Sequence, residues 1–250
     1  MNVQNSQKNT GIQVISRAAA VLRLLGKKTN GLSLGQIATQ VDLPRSTVQR
    51  IVSALSDEGF ISAGDGNARI RLGPELLSLG MVLTERPLEQ LRTVVRTVAE
   101  ETGETVDLAV LRGSEMLFID QVVGRQRLRT VSSIGETFPL STTANGKAAL
   151  ACLEDVDATN LILQEVRAGI APATPIAAKL AEIATIRDGA LAEDEDEHTD
   201  GISALGFGIR DRSGEVYALS VPVPSSRYQK TKNRLVQVME QARESLKQQF

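Results

Sequence analysis

One face of a predicted helix between residues 44 and 58 groups side chains of the kinds that bind nucleic acids. Its apolar residues recur at the i, i+3, i+4 and i+7 positions from Val48 and must face inward. At 100° per residue, the opposite face presents Ser46, Gln49, Arg50 and Ser53, with Arg45 and Thr47 on its flanks. Arg and Gln hydrogen-bond to base edges, and Ser and Thr reach phosphates. We therefore expect these residues to bind in the major groove of double-stranded DNA.

Two further helices would position this face. Ser33 and Gln36 have the spacing of a capping box at the start of one helix, and Pro44 suits the first turn of the next. Residues 12–26 predict an amphipathic helix that completes a three-helix core. This order of elements is that of a helix-turn-helix. A small packing domain with a solvated polar face is the alternative.

A β-hairpin is predicted directly after these helices. Residues 60–63 and 68–72 predict two short strands around a turn at 64–67. Alternation puts Arg69 and Arg71 on one face and Ile70 and Leu72 on the other. The two arginines suit contact with phosphates or the minor groove, which would make the domain a winged helix-turn-helix. Arginines on an edge strand can equally serve to prevent aggregation.

Charge is divided unevenly along the chain. The 250 residues carry a net −2, but residues 1–86 hold 10 Lys and Arg against 6 Asp and Glu, and residues 87–250 hold 18 against 24. A basic head on an acidic body is typical of a DNA-binding domain joined to a sensor. The single cysteine, Cys152, excludes an intrachain disulfide and a cysteine-rich zinc site. No apolar run could span a bilayer and no signal peptide is evident, so we expect a cytoplasmic protein.

The chain divides into four predicted segments: a flexible tail at 1–11, the winged helix-turn-helix at 12–73, a linker helix at 74–86 and a second domain at 87–250. The linker helix is apolar on most sides, so we expect it to pack on a partner subunit or on the second domain of its own chain. In the second domain, helices at 88–101, 143–153, 155–168, 175–189 and 230–249 alternate with strands at 105–111, 116–123, 128–134, 202–210 and 216–221. This order predicts an α+β fold with one mostly antiparallel sheet.

A candidate anion site lies at the start of the helix after Thr143. Unpaired N–H groups at a helix N-terminus attract a carboxylate, although an ordinary N-cap is the alternative. Arg129 and Ser132, on the predicted strand 128–134, could add donors, although Arg129 could equally be solvated. The acidic run 193–197 predicts a solvated surface, and the lone His198 is more simply an exposed side chain than a metal ligand. We predict no metal and no cofactor.

Enzyme motifs are missing from the sequence. Gly146-Lys147 does not belong to a P-loop, because Ser141 and Ala148 stand where that motif requires Gly and Ser or Thr. No Gly-x-Ser-x-Gly elbow occurs, and a single histidine leaves little general-base chemistry. We therefore expect no enzyme activity and no catalytic residues.

Several segments together resemble the isocitrate lyase regulator (IclR) family of bacterial transcription factors. They are residues 31–34 (GLSL), 43–50 (LPRSTVQR), 71–73 (RLG), 101–106 (ETGETV), 139–148 (PLSTTANGKA) and the acidic stretch before Gly201. The resemblance covers about residues 12–245. It implies a winged-helix DNA-binding domain, a GAF-like domain that binds a small metabolite, often an organic or aromatic acid, and a homodimer or dimer of dimers.

The resemblance also implies which residues line the effector pocket. By position they begin the Gly-Lys-Ala helix, lie in the acidic stretch, or face inward from the last two strands: Thr143, Ala144, Asn145, Asp194, Ala204, Ser220 and Pro222. Ala204 stands where family members have a cysteine, and Pro222 where they have a serine. These changes remove a thiol and a hydroxyl, which favours a more apolar ligand.

We interpret the sequence as a ligand-responsive transcription regulator that binds a near-palindromic operator and responds to a small organic acid. One alternative is a metabolite-binding protein or enzyme whose N-terminal module mediates protein contacts. Another is a constitutive repressor whose ligand site has decayed.

Overall fold

A computed structural model of the chain describes residues 13–28, 30–62, 69–82, 87–170, 175–247 and 250. They belong to two compact units that divide between Thr84 and Glu85. The predicted tail at 1–11, the hairpin turn at 64–67 and the end of the predicted linker helix at 83–86 lie outside the described residues. Among the helices within these ranges, none has the length and apolar character that crossing a membrane requires.

The N-terminal unit has the predicted order of elements. Its described helices and strands are α1 (Gln13–Gly26), α2 (Leu34–Gln40), α3 (Arg45–Asp57), β1 (Ile61–Ser62), β2 (Arg71–Leu72) and α4 (Glu75–Val82). The capping box is confirmed, because Ser33 Oγ accepts from the N–H of Gln36 at 3.3 Å and Gln36 Oε1 accepts from the N–H of Ser33 at 2.9 Å. Pro44 was expected to be the first residue of α3 but is its N-cap, so the helix begins one residue later than predicted.

The core of this unit lies between its first three helices. Val21 and Leu25 of α1 pack with Ile37 of α2 and with Val48 and Val52 of α3. All five are buried. Because this packing buries one face of α3, the opposite face of the helix must point away from the core.

The C-terminal unit combines helices with one curled antiparallel sheet, as predicted. Its described elements are α5 (Pro87–Thr102), β3 (Val106–Arg112), β4 (Glu115–Val122), β5 (Thr137–Phe138), α6 (Ala144–Ala151), α7 (Asp155–Arg167), α8 (Ile176–Arg187), β6 (Ala192–Glu195), β7 (Ile202–Arg210), β8 (Val216–Pro224) and α9 (Ser225–Lys247). The strand order is β5-β4-β3-β8-β7-β6. Helices α5 and α9 pack on one face of the sheet, and α6, α7 and α8 form a second apolar core with the other face.

Two predictions about strands were wrong. Residues 128–134 form an irregular segment, and the strand at this edge is β5. Leu128, Val131 and Ile134 are three residues apart and exposed, so they do not share one face of a strand with a period of two. Strand β6 was missed because it lies in the acidic run, where only Ala192 supplies an inward apolar side chain.

Candidate functional site

The side chains predicted to bind DNA lie on the outer face of α3. Arg45, Ser46, Gln49, Arg50 and Ser53 are exposed, and Thr47 is half-buried. The opposite face is buried in the core through Val48, Ile51 and Val52. The structure therefore brings the predicted side chains together on one accessible surface, with the orientation that the helical period required.

The arginines predicted for the hairpin are also exposed, but the alternation is incomplete. Ile70 is buried and forms a bridge with Leu32, whereas Leu72, expected on the same inward face, is 40% exposed. Arg69 Nη1 donates a hydrogen bond to the carbonyl oxygen of Gly31 at 3.2 Å. Arg69 therefore helps to attach β2 to the helical core, while Arg71 projects from the surface.

A cavity of about 210 Å³ lies in the C-terminal unit at the N-terminus of α6. The residues around it come from the sheet, from the start of α6 and from the segments 130–136 and 198–199. They are Asp107, Phe118, Thr130, Val131, Ser132, Glu136, Phe138, Thr143, Ala144, Asn145, Asp194, His198, Thr199, Ile202, Ala204, Ser220 and Pro222. Seven of the eight predicted effector residues are among them.

Arg129, the eighth predicted residue, does not line this cavity. It is exposed, and its Nη1 donates to the carbonyl oxygen of Gln126 at 3.2 Å. The prediction depended on a strand at 128–134, which the structure does not contain. Ser132 from the same segment does line the cavity.

Helix α6 reaches the cavity because it packs directly on β7. A Cβ atom on Gly208 would lie 2.3 Å from the carbonyl oxygen of Ala148, and one on Gly206 would lie 3.2 Å from that of Ala144. Only glycine permits this approach of a helix backbone to a strand. The glycines of β7 therefore bring the N-terminus of α6 to the cavity.

The start of α6 has the features of both an ordinary N-cap and a possible anion site, the two alternatives that the sequence left open. Its Oγ1 accepts a hydrogen bond from the N–H of Gly146 at 3.1 Å, which is the ordinary N-cap. The N–H groups of Ala144 and Asn145, the first two helical residues, have no acceptor within the helix. In addition, Oδ1 of Asn145 is buried and accepts no hydrogen bond from a described residue.

Asp107 is a cavity residue that the sequence analysis missed. It is 2% exposed and lies on β3 beside Ser220 of β8. Its Oδ1 accepts from Gln121 Nε2 at 2.6 Å, and its Oδ2 accepts from Ser132 Oγ at 3.2 Å. Burial raises the pKa of Asp107 to about 6, although these two hydrogen bonds act in the opposite direction. A charged residue within an otherwise apolar strand was the signal that could have revealed it.

Asp194 lies on β6 opposite Ala204 of β7. It is 5% exposed, and its Oδ1 accepts from the N–H of Glu197 at 2.9 Å. Burial raises the pKa of Asp194 to about 6. Asp107 and Asp194 are therefore two buried carboxyl groups that line the same cavity.

Aromatic rings form one wall of the cavity. Phe118 and Phe138 are stacked with ring centroids 4.5 Å apart, and His198 meets the edge of Phe138 at 5.3 Å. Burial lowers the pKa of His198, which favours a neutral imidazole. Within the described ranges, no group of three or more His, Cys, Asp or Glu side chains has the arrangement to hold a metal ion.

The acidic run 193–197 is only in part the solvated surface that the sequence predicted, because Asp194 is buried and Glu193 half-buried while residues 195–197 are exposed. Lys147 of α6 is fully buried, and its Nζ donates to Glu182 Oε1 at 2.6 Å, to the carbonyl oxygen of Glu193 at 2.7 Å and to Glu197. Burial alone would raise the pKa of Glu197, but hydrogen bonds from Lys147 and Lys179 lower it below its usual value. Lys147 thus attaches this part of the cavity wall to α6.

Comparison with known proteins identifies the family of this two-unit chain. Residues 14–63 match the IclR helix-turn-helix domain, and residues 82–248 match the C-terminal domain of the bacterial transcriptional regulator IclR. The chain belongs to the IclR family. Family members are transcriptional regulators with a helix-turn-helix DNA-binding domain and a ligand-binding C-terminal domain.

Individual relatives of this IclR-family protein match over most of their length. It is 39% identical to the transcriptional regulator Rv1719 of Mycobacterium tuberculosis, over 90% of this chain and 87% of the relative. It is 35% identical to the regulator TtgV of Pseudomonas putida, over 96% and 92% of the two chains. These relatives are named as transcriptional regulators, not as enzymes.

Solved structures share the fold. An IclR regulator from Silicibacter sp. TM1040 has a TM-score of 0.78 at 25% identity, over 94% of this chain and 95% of that one. An IclR homolog from Microbacterium hydrocarbonoxydans, solved in complex with 4-hydroxybenzoate, has a TM-score of 0.76 at 19% identity, over 92% and 95%.

Proposed function

We propose that this IclR-family regulator contacts operator bases through the outer face of α3 and is modulated by a small organic effector in the cavity at α6. The observation that carries the first part is the exposed group of Arg45, Gln49 and Arg50 on a helix whose other face is buried. Ser46, Thr47 and Ser53 would contact phosphates or bases, and Arg69 and Arg71 the flanking backbone. Such a regulator acts in the cytoplasm, where bacterial DNA is found.

We further propose a homodimer or dimer of dimers on a near-palindromic operator. Leu77 and Leu79 of α4 are 70% and 49% exposed, and Val14 and Ile15 of α1 are 56% and 63% exposed. Burial of such apolar side chains against a second copy is favourable. A two-fold dimer predicts operator half-sites separated by about 10 bp or a multiple of it.

The cavity suits a small molecule with a ring. Its aromatic wall, together with Ala204 and Pro222, supplies apolar contact, while Thr143, Asn145, Asp194 and Ser220 supply polar groups. The relative from Microbacterium hydrocarbonoxydans, which binds 4-hydroxybenzoate, supports an effector of this size. An organic acid is one candidate, since its carboxylate could accept hydrogen bonds from the N–H groups of Ala144 and Asn145.

The DNA-binding proposal is tested with duplexes selected from a randomised library by the full-length protein. Arg50→Ala should weaken binding to the selected duplex by about 1–3 kcal/mol and broaden the base preference at one position, because a base contact is lost. Arg71→Ala should instead weaken all duplexes similarly and reduce the salt dependence. Fluorescence anisotropy at two salt concentrations measures both effects.

Arg212→Ala is the control, because it removes the same charge from an exposed position in the C-terminal unit. Operator binding by Arg50→Ala equal to that of the wild type would contradict the assignment of α3. Absence of salt-dependent duplex binding would favour an N-terminal module that contacts proteins.

A further inference from the structure

Three of the side chains that line the cavity are carboxylates, Asp107, Glu136 and Asp194, which only accept hydrogen bonds when ionised. We propose that the effector is an uncharged or cationic aromatic molecule that donates hydrogen bonds to Asp107 and Asp194, and that Asp107 determines this specificity. The inference rests on the proposed function of the cavity as the effector site. The proposed ligand is uncharged or cationic, whereas the family resemblance led us to expect an organic acid, which is an anion.

Asp107 retains unused acceptor capacity. Its two known partners, Gln121 Nε2 and Ser132 Oγ, are both uncharged donors, one on each carboxylate oxygen. An ionised carboxylate offers about four lone-pair positions. Since the group is 2% exposed and no Lys or Arg side chain is among the described groups that act on its ionisation, a donor supplied by a ligand would replace hydration that folding removed.

Asp194 is in a similar position. The nearest cation of α6, Lys147, directs its Nζ to Glu182, to Glu197 and to the backbone of Glu193, so its charge is balanced by groups other than Asp194. The hydrogen bond to Asp194 comes from the backbone N–H of Glu197. This second carboxylate therefore also lacks a direct cationic partner among the described residues.

Asn145 adds an amide group to the cavity that fits either kind of ligand. Its side chain is 2% exposed and lines the cavity, and its Oδ1 has no hydrogen-bond partner within the described structure. A hydroxyl or amino group of a ligand donates to an amide oxygen, whereas a carboxylate accepts from the NH2 group of the same amide. The charges in the cavity, and not Asn145, therefore decide between the two ligand classes.

The charge balance of the cavity opposes an anion. Asp107, Glu136 and Asp194 contribute carboxyl groups, and none of the described residues that line the cavity is Lys or Arg. Burial lowers the pKa of His198, so its imidazole does not supply a compensating charge near neutral pH. The N-terminus of α6 contributes about half a positive charge, which is less than the carboxylates remove.

The positions of the two carboxylates also suit an extended flat ligand. Asp107 is on β3 and Asp194 on β6, with β8 and β7 between them. Asp107 is level with Ala192, two residues before Asp194, so three strand spacings and this offset correspond to roughly 16 Å between their backbones in a flat sheet, and the curl of the sheet shortens this distance. Because Phe118 and Phe138 line the same cavity, a ring with donors at opposite ends would contact all these groups.

Three probes with one ring and different charges test the proposal: 4-hydroxybenzyl alcohol, 4-hydroxybenzylamine and 4-hydroxybenzoate. Isothermal titration of the full-length protein at pH 8 should show at least tenfold tighter binding of the alcohol and the amine than of the benzoate. Asp107→Asn should weaken binding of the alcohol and the amine about tenfold, because a neutral amide oxygen replaces a charged acceptor. It should leave benzoate binding unchanged or improve it.

Ala204→Leu separates this inference from the proposed effector site, since the added side chain would occupy the cavity. All three probes should bind this variant more weakly. Tightest binding of the benzoate, equal weakening of all probes by Asp107→Asn, or no binding of the alcohol and the amine would overturn the ligand class. Probe binding to Ala204→Leu that equals wild-type binding would overturn the cavity itself as the effector site.

Discussion

At the scale of single residues, Asp107 shows how a binding group can reduce the stability of the fold. Its donors are uncharged, and Glu136, Asp194 and His198 are the other titratable groups that line the same cavity. None of them supplies the positive charge that would stabilise an ionised Asp107 near neutral pH. The folded protein therefore carries a buried carboxylate whose ionisation is unfavourable, which is common at ligand sites.

This predicts a pH dependence of stability. Because burial raises the pKa of Asp107 from 3.8 to about 6, the folded state holds its proton more tightly than the unfolded state. The contribution of Asp107 to stability is then least unfavourable below pH 3.8 and becomes more unfavourable as the pH rises through about 6. Asp107→Asn should be more stable than the wild type, with an advantage that grows by on the order of 1 kcal/mol between pH 5 and 7.5.

Urea unfolding at the two pH values measures this difference. Asp188→Asn, which alters an exposed carboxylate, is the control and should show no such growth. If Asp107→Asn differs from the wild type by the same free energy of unfolding at both pH values, Asp107 ionises as easily in the folded protein as in the unfolded chain.

The same residue marks the limit of sequence-based prediction. Thr143, Asp194 and Ser220 were found by their positions in a family pattern. Asp107 belongs to no such pattern, and its partners Gln121 and Ser132 are 14 and 25 residues away in the chain. The pairing of β3 with β4 brings Gln121 to Asp107, and the path of the irregular segment 128–134 brings Ser132 there. A periodic pattern in the sequence predicts neither contact.

At the scale of elements, α6 and β6 depend on each other. Strand β6 was not predicted because Asp194 faces inward where strand patterns have apolar residues, and the helix end at Thr143 was predicted because its cap is local. The contact that joins them is the buried ammonium of Lys147, for which the sequence analysis predicted no structural role. Local signals predicted the helix, whereas the strand is stabilised by a partner distant in sequence.

Removal of this contact should destabilise the C-terminal unit. Lys147→Met keeps the apolar part of the side chain but removes the more buried of the two cations that Glu182 and Glu197 share. Breaking a buried ion pair costs about 3–5 kcal/mol, and we expect the lower end because the glutamate side chains are 35% and 34% exposed. Urea unfolding measures the loss. Probe affinity should fall too, because Asp194 and His198 lie next to the released segment.

Lys179→Met is the matched control. It removes a lysine that contacts the same two glutamates, at 3.6 Å and 2.8 Å, but that is less buried than Lys147. Its effect should be smaller. Equal losses for the two variants would indicate that only the net charge of the cluster matters, and not the position of Lys147 on α6.

At the scale of the whole molecule, the division of charge and the division of structure coincide. The boundary between the two units lies two residues before the start of the predicted second domain, and the net charge changes sign there because residues 1–86 hold only 6 Asp and Glu, whereas residues 87–250 hold 24. Periodicity and composition carry a signal of separate domains, because each unit has a hydrophobic core of its own. The chemistry of the ligand could not be predicted in this way, since it depends on which charges the fold buries together.

A regulator with separate sites for DNA and effector must obey reciprocal linkage. If the bound probe changes the affinity for the selected duplex by some factor, the duplex must change the affinity for the probe by the same factor. Anisotropy titrations of the duplex with saturating 4-hydroxybenzyl alcohol, and calorimetric titrations of the alcohol with saturating duplex, measure the two factors independently. We expect them to agree at 5–150-fold, the usual range of allosteric coupling. Asp107→Asn should keep the duplex affinity of the unliganded protein and lose most of the response at subsaturating alcohol. If the alcohol binds but neither affinity changes, the cavity binds a ligand that does not regulate DNA binding.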